Sequence, residues 1–350
     1  MTELLREGGP LGVKRTGANT YEMSVKIPSG SGRVARECPC ESCSPGYFKV
    51  VTGTGVTGEQ PLAYCPYCRH EAAPSSFITA DQKRYALELV KEHLASGVSD
   101  MIAQALQLDS SGRRRIGGGL FSIEMRMERG TPARPRLPFE ERVRRDVICP
   151  HCGLDQSVYG LATWCADCGN DIFLTHIEAE FEVVRAMLGD VPRREQVLGA
   201  RVAGKDLENA LEDVVSIFEG GLRALVRRHL LASGKTLDEV REIFRKDVRN
   251  GFQSVARSEE LLRTLCSLEL RQALAPSQLE ELARVFAKRH LIAHNLGVID
   301  RKYLETANAH GSEGADLPIS IPETERAVAI AVQVFRVLCA PMTATHAVQS

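Results

Sequence analysis

The amino-acid sequence predicts a multi-domain, mainly α-helical protein with an N-terminal α+β region and a C-terminal antiparallel helical bundle. Three observations support this class. The chain has 350 residues, more than one ordinary domain holds. Nine of its eleven cysteines fall in two clusters before residue 170, and helical periodicity dominates from about residue 175 onward. The predicted segments are 1–34, 35–75, 76–144, 145–176 and 177–350, the first of them only partly ordered.

The composition is that of an ordinary globular protein. Apolar residues make up 43% of the chain and charged residues 25%. Apolar runs stay far below the roughly 20 residues that cross a bilayer. The N-terminal stretch MTELLREGGPLG contains acidic residues and no long apolar run, unlike a secretory signal. We therefore expect a cytoplasmic protein.

The second cysteine cluster has the spacing of a metal site. Cys149 and Cys152 form one CxxC pair and Cys165 and Cys168 another, with twelve residues between the pairs. Two such turns, brought together by a short hairpin, place four thiolates in the tetrahedral arrangement of structural zinc. A glycine follows each turn, where a positive φ lets the chain bend around the metal. The nearby segments SVYGLATW and IFLTHI are predicted strands.

The first cluster contains five cysteines and leaves a choice of ligands. We choose Cys40 because it keeps the CxxC spacing, which leaves Cys38 spare and His70 as a weaker substitute. The four predicted ligands are then Cys40, Cys43, Cys65 and Cys68. The segments YFKVV and PLAY are predicted to form a hairpin joined by the glycine-rich TGTGVTGE.

Three kinds of cysteine chemistry compete for both clusters. Disulfides are rare in a chain without an export signal, and a redox CxxC pair needs a thioredoxin-like βαβ pattern that the sequence lacks. We therefore predict two structural zinc ions per chain. Because four thiolates complete the coordination of zinc, neither site is expected to be catalytic. Both clusters resemble zinc ribbons, a resemblance that says little about function.

The segment between the clusters combines a helix, a strand and a basic stretch. Thr79 is a predicted N-cap, and apolar residues recur at helical spacing up to Leu106. The stretch LFSIEMRME alternates apolar and polar residues, which predicts a half-buried strand. Residues 113–145 hold ten arginines against four glutamates; this excess favours a polyanion partner, and a solvated linker is an equal alternative. The arginines assigned to nucleic-acid binding are Arg113, Arg114, Arg115, Arg142, Arg144 and Arg145.

Long amphipathic helices fill the C-terminal part and predict the bundle. The predicted helices are 205–233, 236–248, 276–295 and 321–339, with a short one at 258–270. Thr236 and Glu239 form a predicted capping box at the start of the second helix. Cys266 and Cys339 have apolar helical surroundings, so we expect them to be buried and not to bind metal.

The stretch RHLIAHN at the end of the 276–295 helix allows more than one interpretation. His290 and His294 are four residues apart and share a helix face, as in HExxH metalloproteases. However, Leu291 stands where that motif carries its glutamate, and no obvious third ligand follows. In a structural interpretation, Arg289 pairs with an acid and the histidines cap carbonyl groups at the helix end.

A third interpretation comes from a family resemblance. Arg289, the polar His290, three apolar residues and then His294, near the end of the third helix of a four-helix bundle, resemble the Rx4–6H motif of the HEPN superfamily. The following NLGVIDRKYL and the connection GADLPISIPETERA into a final helix are also similar to free-standing HEPN proteins. The resemblance covers roughly residues 200–342.

The resemblance implies a metal-independent endoribonuclease that acts as a homodimer, with two motifs facing one cleft. By this resemblance His294 is the acid/base group, Arg289 holds the scissile phosphate, His290 fills the polar second position and Asn295 orients the histidine. The residue types suit these roles, since histidine exchanges protons near neutral pH and arginine matches phosphate oxygens. A role in antiviral defence or as a toxin rests on the resemblance alone.

Two rival functions stay open. In one, the ribbons bind nucleic acid or protein and the bundle only dimerises, so that the protein is a non-catalytic scaffold. In the other, His290 and His294 belong to a zinc hydrolase, which requires more than two metal ions per chain. The nuclease requires Arg289 and His294 to line an open, basic cleft between subunits, whereas in the scaffold they are satisfied inside one subunit. No motif identifies the RNA that is cut or the signal that activates cleavage.

Overall fold

A computed structural model describes residues 11–17, 20–27, 32–117, 121–128, 136–139, 142, 145–306 and 311–346. The backbone forms two compact units. The first comprises Met1–Arg36 and Ile78–Arg142, and the second Glu37–Phe77 and Val143–Ser350. Both cysteine clusters therefore belong to the same unit as the helical bundle, although the sequence pattern had separated them into segments.

The described residues contain ten strands and eight α-helices. In chain order the strands are β1 (Leu11–Arg15), β2 (Tyr21–Val25), β3 (Arg33–Glu37), β4 (Tyr47–Val51), β5 (Ala63–Tyr64), β6 (Glu71–Ala72), β7 (Arg113–Ile116), β8 (Ile123–Arg126), β9 (Arg145–Ile148) and β10 (Asp155–Val158). The helices are α1 (Ala80–Ala105), α2 (Phe173–Leu198), α3 (Ala200–Ala232), α4 (Leu237–Ile243), α5 (Val255–Cys266), α6 (Pro276–Asn295), α7 (Arg301–Thr306) and α8 (Ile321–His346). The predicted mainly α class is confirmed.

In the first unit a β-hairpin packs against a long helix. β1 pairs antiparallel with β2, and Leu11 and Val13 of β1 pack against apolar residues of α1. Thr79 caps α1 as predicted. Its hydroxyl accepts a hydrogen bond from the backbone N–H of Gln82 at 3.1 Å, and the Gln82 side chain accepts one from the Thr79 N–H at 3.0 Å. This capping box fixes where the helix starts.

The second hairpin of this unit differs from the predicted half-buried strand. β7 pairs with β8, but Phe121 and Ile123 are 89% and 69% exposed. Alternation of apolar and polar residues only indicates a two-sided strand. Burial of one side needs a second layer of structure, which a two-stranded hairpin does not supply by itself.

Antiparallel pairing of β4, β10 and β9 links the two cysteine clusters. β4 pairs with β10, and β10 pairs with β9. YFKVV is β4, but PLAY contributes β5, which pairs with β6; the predicted YFKVV–PLAY hairpin is therefore wrong. Phe48 of β4 and Val158 of β10 are 2% and 0% exposed. This burial explains why β4 prefers the strand of the second cluster, since an isolated hairpin is marginal in water.

The segment IFLTHI begins a helix and is not the predicted strand. Asp171 accepts a hydrogen bond from the backbone N–H of Phe173 at 2.9 Å, at the first turn of α2. Phe173, Ile177 and Phe181 are all fully buried. Their four-residue spacing is that of one helix face. A six-residue segment with four apolar residues is compatible with either structure, and packing against the bundle decides between them.

The bundle surrounds one apolar core. α2 and α3 form a helical hairpin at Gly199, α8 packs against both, and α6 packs against α3 and α8. The rings of Phe218 and Phe335 lie at the centre, 5.5 Å apart between centroids. Cys266 and Cys339 are buried in this core, as predicted. None of the helices described here is long and apolar enough to cross a bilayer.

Gly221 of α3 is required by the packing of the core. A Cβ atom there would lie 2.3 Å from Phe335 Cζ and 2.6 Å from Ile177 Cδ1. We therefore expect Gly221→Ala to lower the free energy of unfolding by about 1–3 kcal/mol through overpacking. The control is Gly220→Ala, whose Cβ would meet only Leu161 Cδ1 at 4.0 Å; it should be neutral or stabilising, because alanine favours helix. Equal unfolding midpoints in urea for both variants would contradict the proposed contact.

Candidate metal centres and candidate active site

The second cysteine group has the dimensions of a tetrahedral metal site. Cys149 Sγ lies 3.7 Å from Cys168 Sγ, and Cys152 Sγ lies 3.5 Å from Cys165 Sγ. All four sulfur atoms lie within 4.8 Å of one another. Ligands about 2.3 Å from a central zinc ion stand about 3.8 Å apart, whereas a disulfide would bring two sulfurs to about 2.05 Å. The four predicted residues therefore form a set that can hold a metal ion.

The first group contains Cys38 in place of the predicted Cys40. Cys38 Sγ lies 3.7 Å from Cys68 Sγ, and Cys43 Sγ lies 3.7 Å from Cys65 Sγ. All four sulfur atoms again lie within 4.8 Å of one another. The choice of Cys40 as a ligand is thereby corrected.

Backbone geometry explains this correction. The Cys40 N–H donates to Cys38 Sγ, and the Cys40 carbonyl accepts from the Cys43 N–H at 2.9 Å. Cys40 thus contributes backbone to the turn between the two ligands. The sequence contained a signal for this choice. Cys38, like Cys65 and Cys149, is followed by proline, whereas Cys40 is followed by glutamate.

Backbone N–H groups surround the sulfur atoms of both sites. The Tyr67 N–H donates to Cys65 Sγ and the His151 N–H to Cys149 Sγ, both at 3.4 Å. Gly153 and Gly169, which follow the two turns of the second site, have φ of 77° and 66°. The predicted need for positive φ at these glycines is confirmed. The hydrogen bonds that the Tyr67 and His151 N–H groups donate to sulfur favour the thiolate form that a metal requires.

The close sulfur atoms also affect one another's ionisation. Hydrogen bonding from Cys165 lowers the pKa of Cys168 to about 4. Hydrogen bonding with Cys38 raises the pKa of Cys65. Four thiols this close cannot all lose their protons at low cost unless a cation neutralises them. The donor set is therefore one that a thiophilic dication fits.

The turns of the two cysteine groups also contact each other. The Tyr64 N–H donates to the Ala166 carbonyl at 2.8 Å, and the Thr163 N–H donates to the Pro66 carbonyl at 2.9 Å. Each of these bonds joins a residue at the Cys65 turn to a residue at the Cys165 turn. Together with the shared sheet, these bonds make the two ribbons one structural piece.

The end of α6 carries three of the four predicted catalytic residues into one pocket of about 470 Å³. Arg289 is half-buried, whereas His290 and His294 are exposed. The two histidine rings lie 4.7 Å apart between centroids. Residues five apart on a helix point about 140° away from each other, yet Arg289 and His294 both line this pocket. The remaining lining residues are Glu219, Asn250, Gln253, Phe286 and Ala293.

Glu219 of α3 is the charged residue of this pocket that the sequence analysis missed. Burial raises the pKa of Glu219, and the charges of Arg289 and Arg223 oppose that shift. Its Oε1 atom is buried and has no hydrogen-bond partner among the described residues. The sequence did contain a signal for this residue, since Glu219 directly follows Phe218 on the apolar face of a predicted helix. Burying an acid in that position is costly unless it has a function or a partner.

Asn295 lies outside this pocket. Its side-chain amide donates to the Val298 carbonyl at 2.7 Å. At the end of α6, Leu296 adopts a left-handed conformation with φ of 52°. Asn295 therefore holds the chain where the helix ends, and nothing in its contacts assigns it the role of orienting His294.

The predicted nucleic-acid-binding arginines are divided between the two units. Arg113, Arg114 and Arg115 lie on β7 in the first unit, and Arg145 lies on β9 in the second. Arg145 donates to Glu180 at 3.2 Å. Arg142 is exposed, and Arg144 lies outside the described residues.

No family model matches this chain, and neither does any curated protein or solved structure at a significant level.

Proposed function

We propose that this protein is a metal-independent endoribonuclease of the HEPN type. One observation carries the proposal: Arg289, His290 and His294 line a single pocket together with Glu219. A cation and several proton-exchanging groups beside one concave surface are what phosphodiester cleavage needs.

The chemistry follows from the residue types in the pocket. His294 removes the proton of an RNA 2′-hydroxyl, whose oxygen then forms a bond to the adjacent phosphorus. Arg289 neutralises the charge that builds up on the phosphate oxygens. The P–O5′ bond breaks, and O5′ takes up a proton from a second group. Glu219 is a candidate for that group, because a raised pKa favours a protonated carboxyl. The products are a 2′,3′-cyclic phosphate and a 5′-hydroxyl.

The cysteine groups support a structural role for metal in this proposal. We assign zinc to both, since four thiolates at tetrahedral spacing are its usual structural ligands. Among the described residues, the sets of three or more possible metal ligands are these two. His290 and His294 thus lack a third ligand, which weighs against the zinc hydrolase. The ribbons are one proposed contact for RNA or for a protein partner, and exposed arginines of β7 such as Arg115 are a separate one.

The test is cleavage of labelled single-stranded and hairpin RNAs after brief exposure to EDTA. We expect cutting to persist and the 3′ ends to carry a cyclic phosphate, detected by mass spectrometry of the fragments. The scaffold alternative predicts RNA or protein binding with no cut product at any protein concentration. Cleavage that stops with EDTA while both structural zinc ions are retained, and that returns with added metal, would contradict the metal-independent mechanism.

We further propose a homodimer in which two such pockets face one cleft. A twofold axis brings the same patch of each subunit together. Leu296, beside the pocket, is 91% exposed and supplies an apolar contact for such an interface. Sedimentation at micromolar concentration should give a dimer, and Leu296→Asp should shift it toward monomer. A monomeric wild-type protein that still cleaves RNA would contradict the dimer.

A further inference from the structure

A second cavity, of about 780 Å³, lies between the ribbons and the bundle. Residues of both ribbons, including Tyr67 and Trp164, form part of its wall, and residues of α2, α3 and α4 form the rest. It shares no lining residue with the pocket of Arg289 and His294. Its volume is in the range of sites for small organic ligands.

The wall of this cavity is positively charged. It contains two acidic residues, Glu180 and Asp213, and five arginines: Arg145, Arg223, Arg227, Arg228 and Arg241. Glu180 is already paired with Arg145. Burial, and next the charge of Glu212, raise the pKa of Asp213. The balance of charge therefore favours an anionic ligand.

Buried guanidinium nitrogen atoms without a hydrogen-bond partner among the described residues strengthen this argument. Arg228 is 2% exposed and forms an ion pair with Asp171. Its Nε and Nη1 atoms, and the Nε atom of Arg227, are buried without a hydrogen-bond partner among the described residues. A buried charged donor without an acceptor is costly. Phosphate oxygens match the fork of an arginine and would supply acceptors.

The rest of the wall is apolar and partly aromatic. Tyr67, Tyr159, Trp164 and Phe244 line the cavity, together with aliphatic side chains such as Leu161. Aromatic walls bind flat rings by stacking, and arginine also stacks on such rings. A ligand that satisfies both halves of the cavity has a phosphate group and an aromatic ring.

We propose that this cavity binds a nucleotide, with its phosphates held by Arg227 and Arg228 and its base among the aromatic side chains. The site is separate from the proposed cleavage site, and the proposal does not depend on ribonuclease activity. α3 contributes Arg223 to this cavity and Glu219 to the other pocket.

The chain provides a reporter for the test. Trp164 is its single tryptophan and lines the cavity. Tryptophan fluorescence of the full chain is measured while ATP, adenosine or inorganic tripolyphosphate is added. We expect a saturable change with ATP below about 1 mM, a typical upper limit for small-ligand sites, and at least about tenfold weaker responses to the other two probes. No saturable response to ATP, or equal affinity for either partial probe, would overturn the assignment.

Matched variants separate binding from folding. Arg227→Ala should weaken ATP binding at least about tenfold, because it removes charged hydrogen bonds to phosphate. Arg263→Ala removes the same charge from an exposed position on α5 and should bind ATP like the wild type. Both should keep the wild-type thermal midpoint. The nucleotide site would be rejected if folded Arg227→Ala bound ATP as tightly as the wild type. It would also be rejected if single-stranded RNA changed the fluorescence of Trp164 and ATP did not. Because the fluorescence measurement needs no cleavage, absence of ATP binding would leave the ribonuclease proposal intact. Absence of RNA cleavage would likewise leave the nucleotide site intact.

Discussion

Replacing Cys65 by serine should release one of two metal ions per chain and unfold the first ribbon. Cys65 is fully buried, and its sulfur lies within reach of the three other sulfurs of its group. Structural zinc contributes an apparent binding free energy of about 10–16 kcal/mol in small zinc folds. A hydroxyl is a poor substitute for a thiolate at such a site, so we expect metal content to fall from about two ions per chain to about one. Elemental analysis after gel filtration measures this change, and limited proteolysis within residues 37–77 measures the unfolding.

The five cysteines of the first cluster provide the matched control. Cys38→Ser should behave like Cys65→Ser, because Cys38 belongs to the sulfur group. Cys40→Ser should keep both metal ions and the wild-type protease resistance, since Cys40 contributes only backbone hydrogen bonds to the turn. Loss of metal from Cys40→Ser, together with full metal content in Cys38→Ser, would reverse this assignment. A disulfide in the purified wild type would exclude the metal site altogether.

Replacing His294 by alanine should reduce RNA cleavage by about 10²–10⁴-fold, the usual contribution of a group that transfers protons in the transition state. The fold should persist, because His294 is exposed at the end of α6 and exposed substitutions usually change the free energy of unfolding by about 0.5 kcal/mol or less. Initial cleavage rates with EDTA present, compared at equal protein concentration and with the unfolding midpoint as a check, measure the effect.

Two further variants sharpen this test. His93→Ala removes a histidine from α1 in the first unit and should leave cleavage unchanged. Glu219→Gln keeps the size of the side chain but cannot exchange a proton, so we expect it to lower the rate and change the pH profile of cleavage. Cleavage by His294→Ala at the wild-type rate would remove His294 from the mechanism, and an unchanged pH profile in Glu219→Gln would remove Glu219.

The sequence by itself determined the local features of this protein. Side-chain types at fixed spacing identified the second cysteine group as one that can hold a metal ion, because its four cysteines lie within a single short segment. Local hydrogen bonding located two helix starts, at the predicted N-cap Thr79 and at Thr236, where the predicted capping box forms. Helical periodicity located α3 and α6 to within a few residues. The grouping of Arg289, His290 and His294 also followed from their positions on one helix end.

Only the tertiary structure decided which distant segments meet. β4 pairs with β10 of the other cluster because that pairing buries both strands, and no local pattern specifies a partner more than 90 residues away. Cys38 replaces Cys40 because the path of the turn, and not the spacing of the motif, aims the side chains. Glu219 joins His294 because α3 packs against α6. In each case the stabilising free energy comes from burial and from contacts between segments far apart in the chain. The local pattern of a single sequence does not specify such contacts.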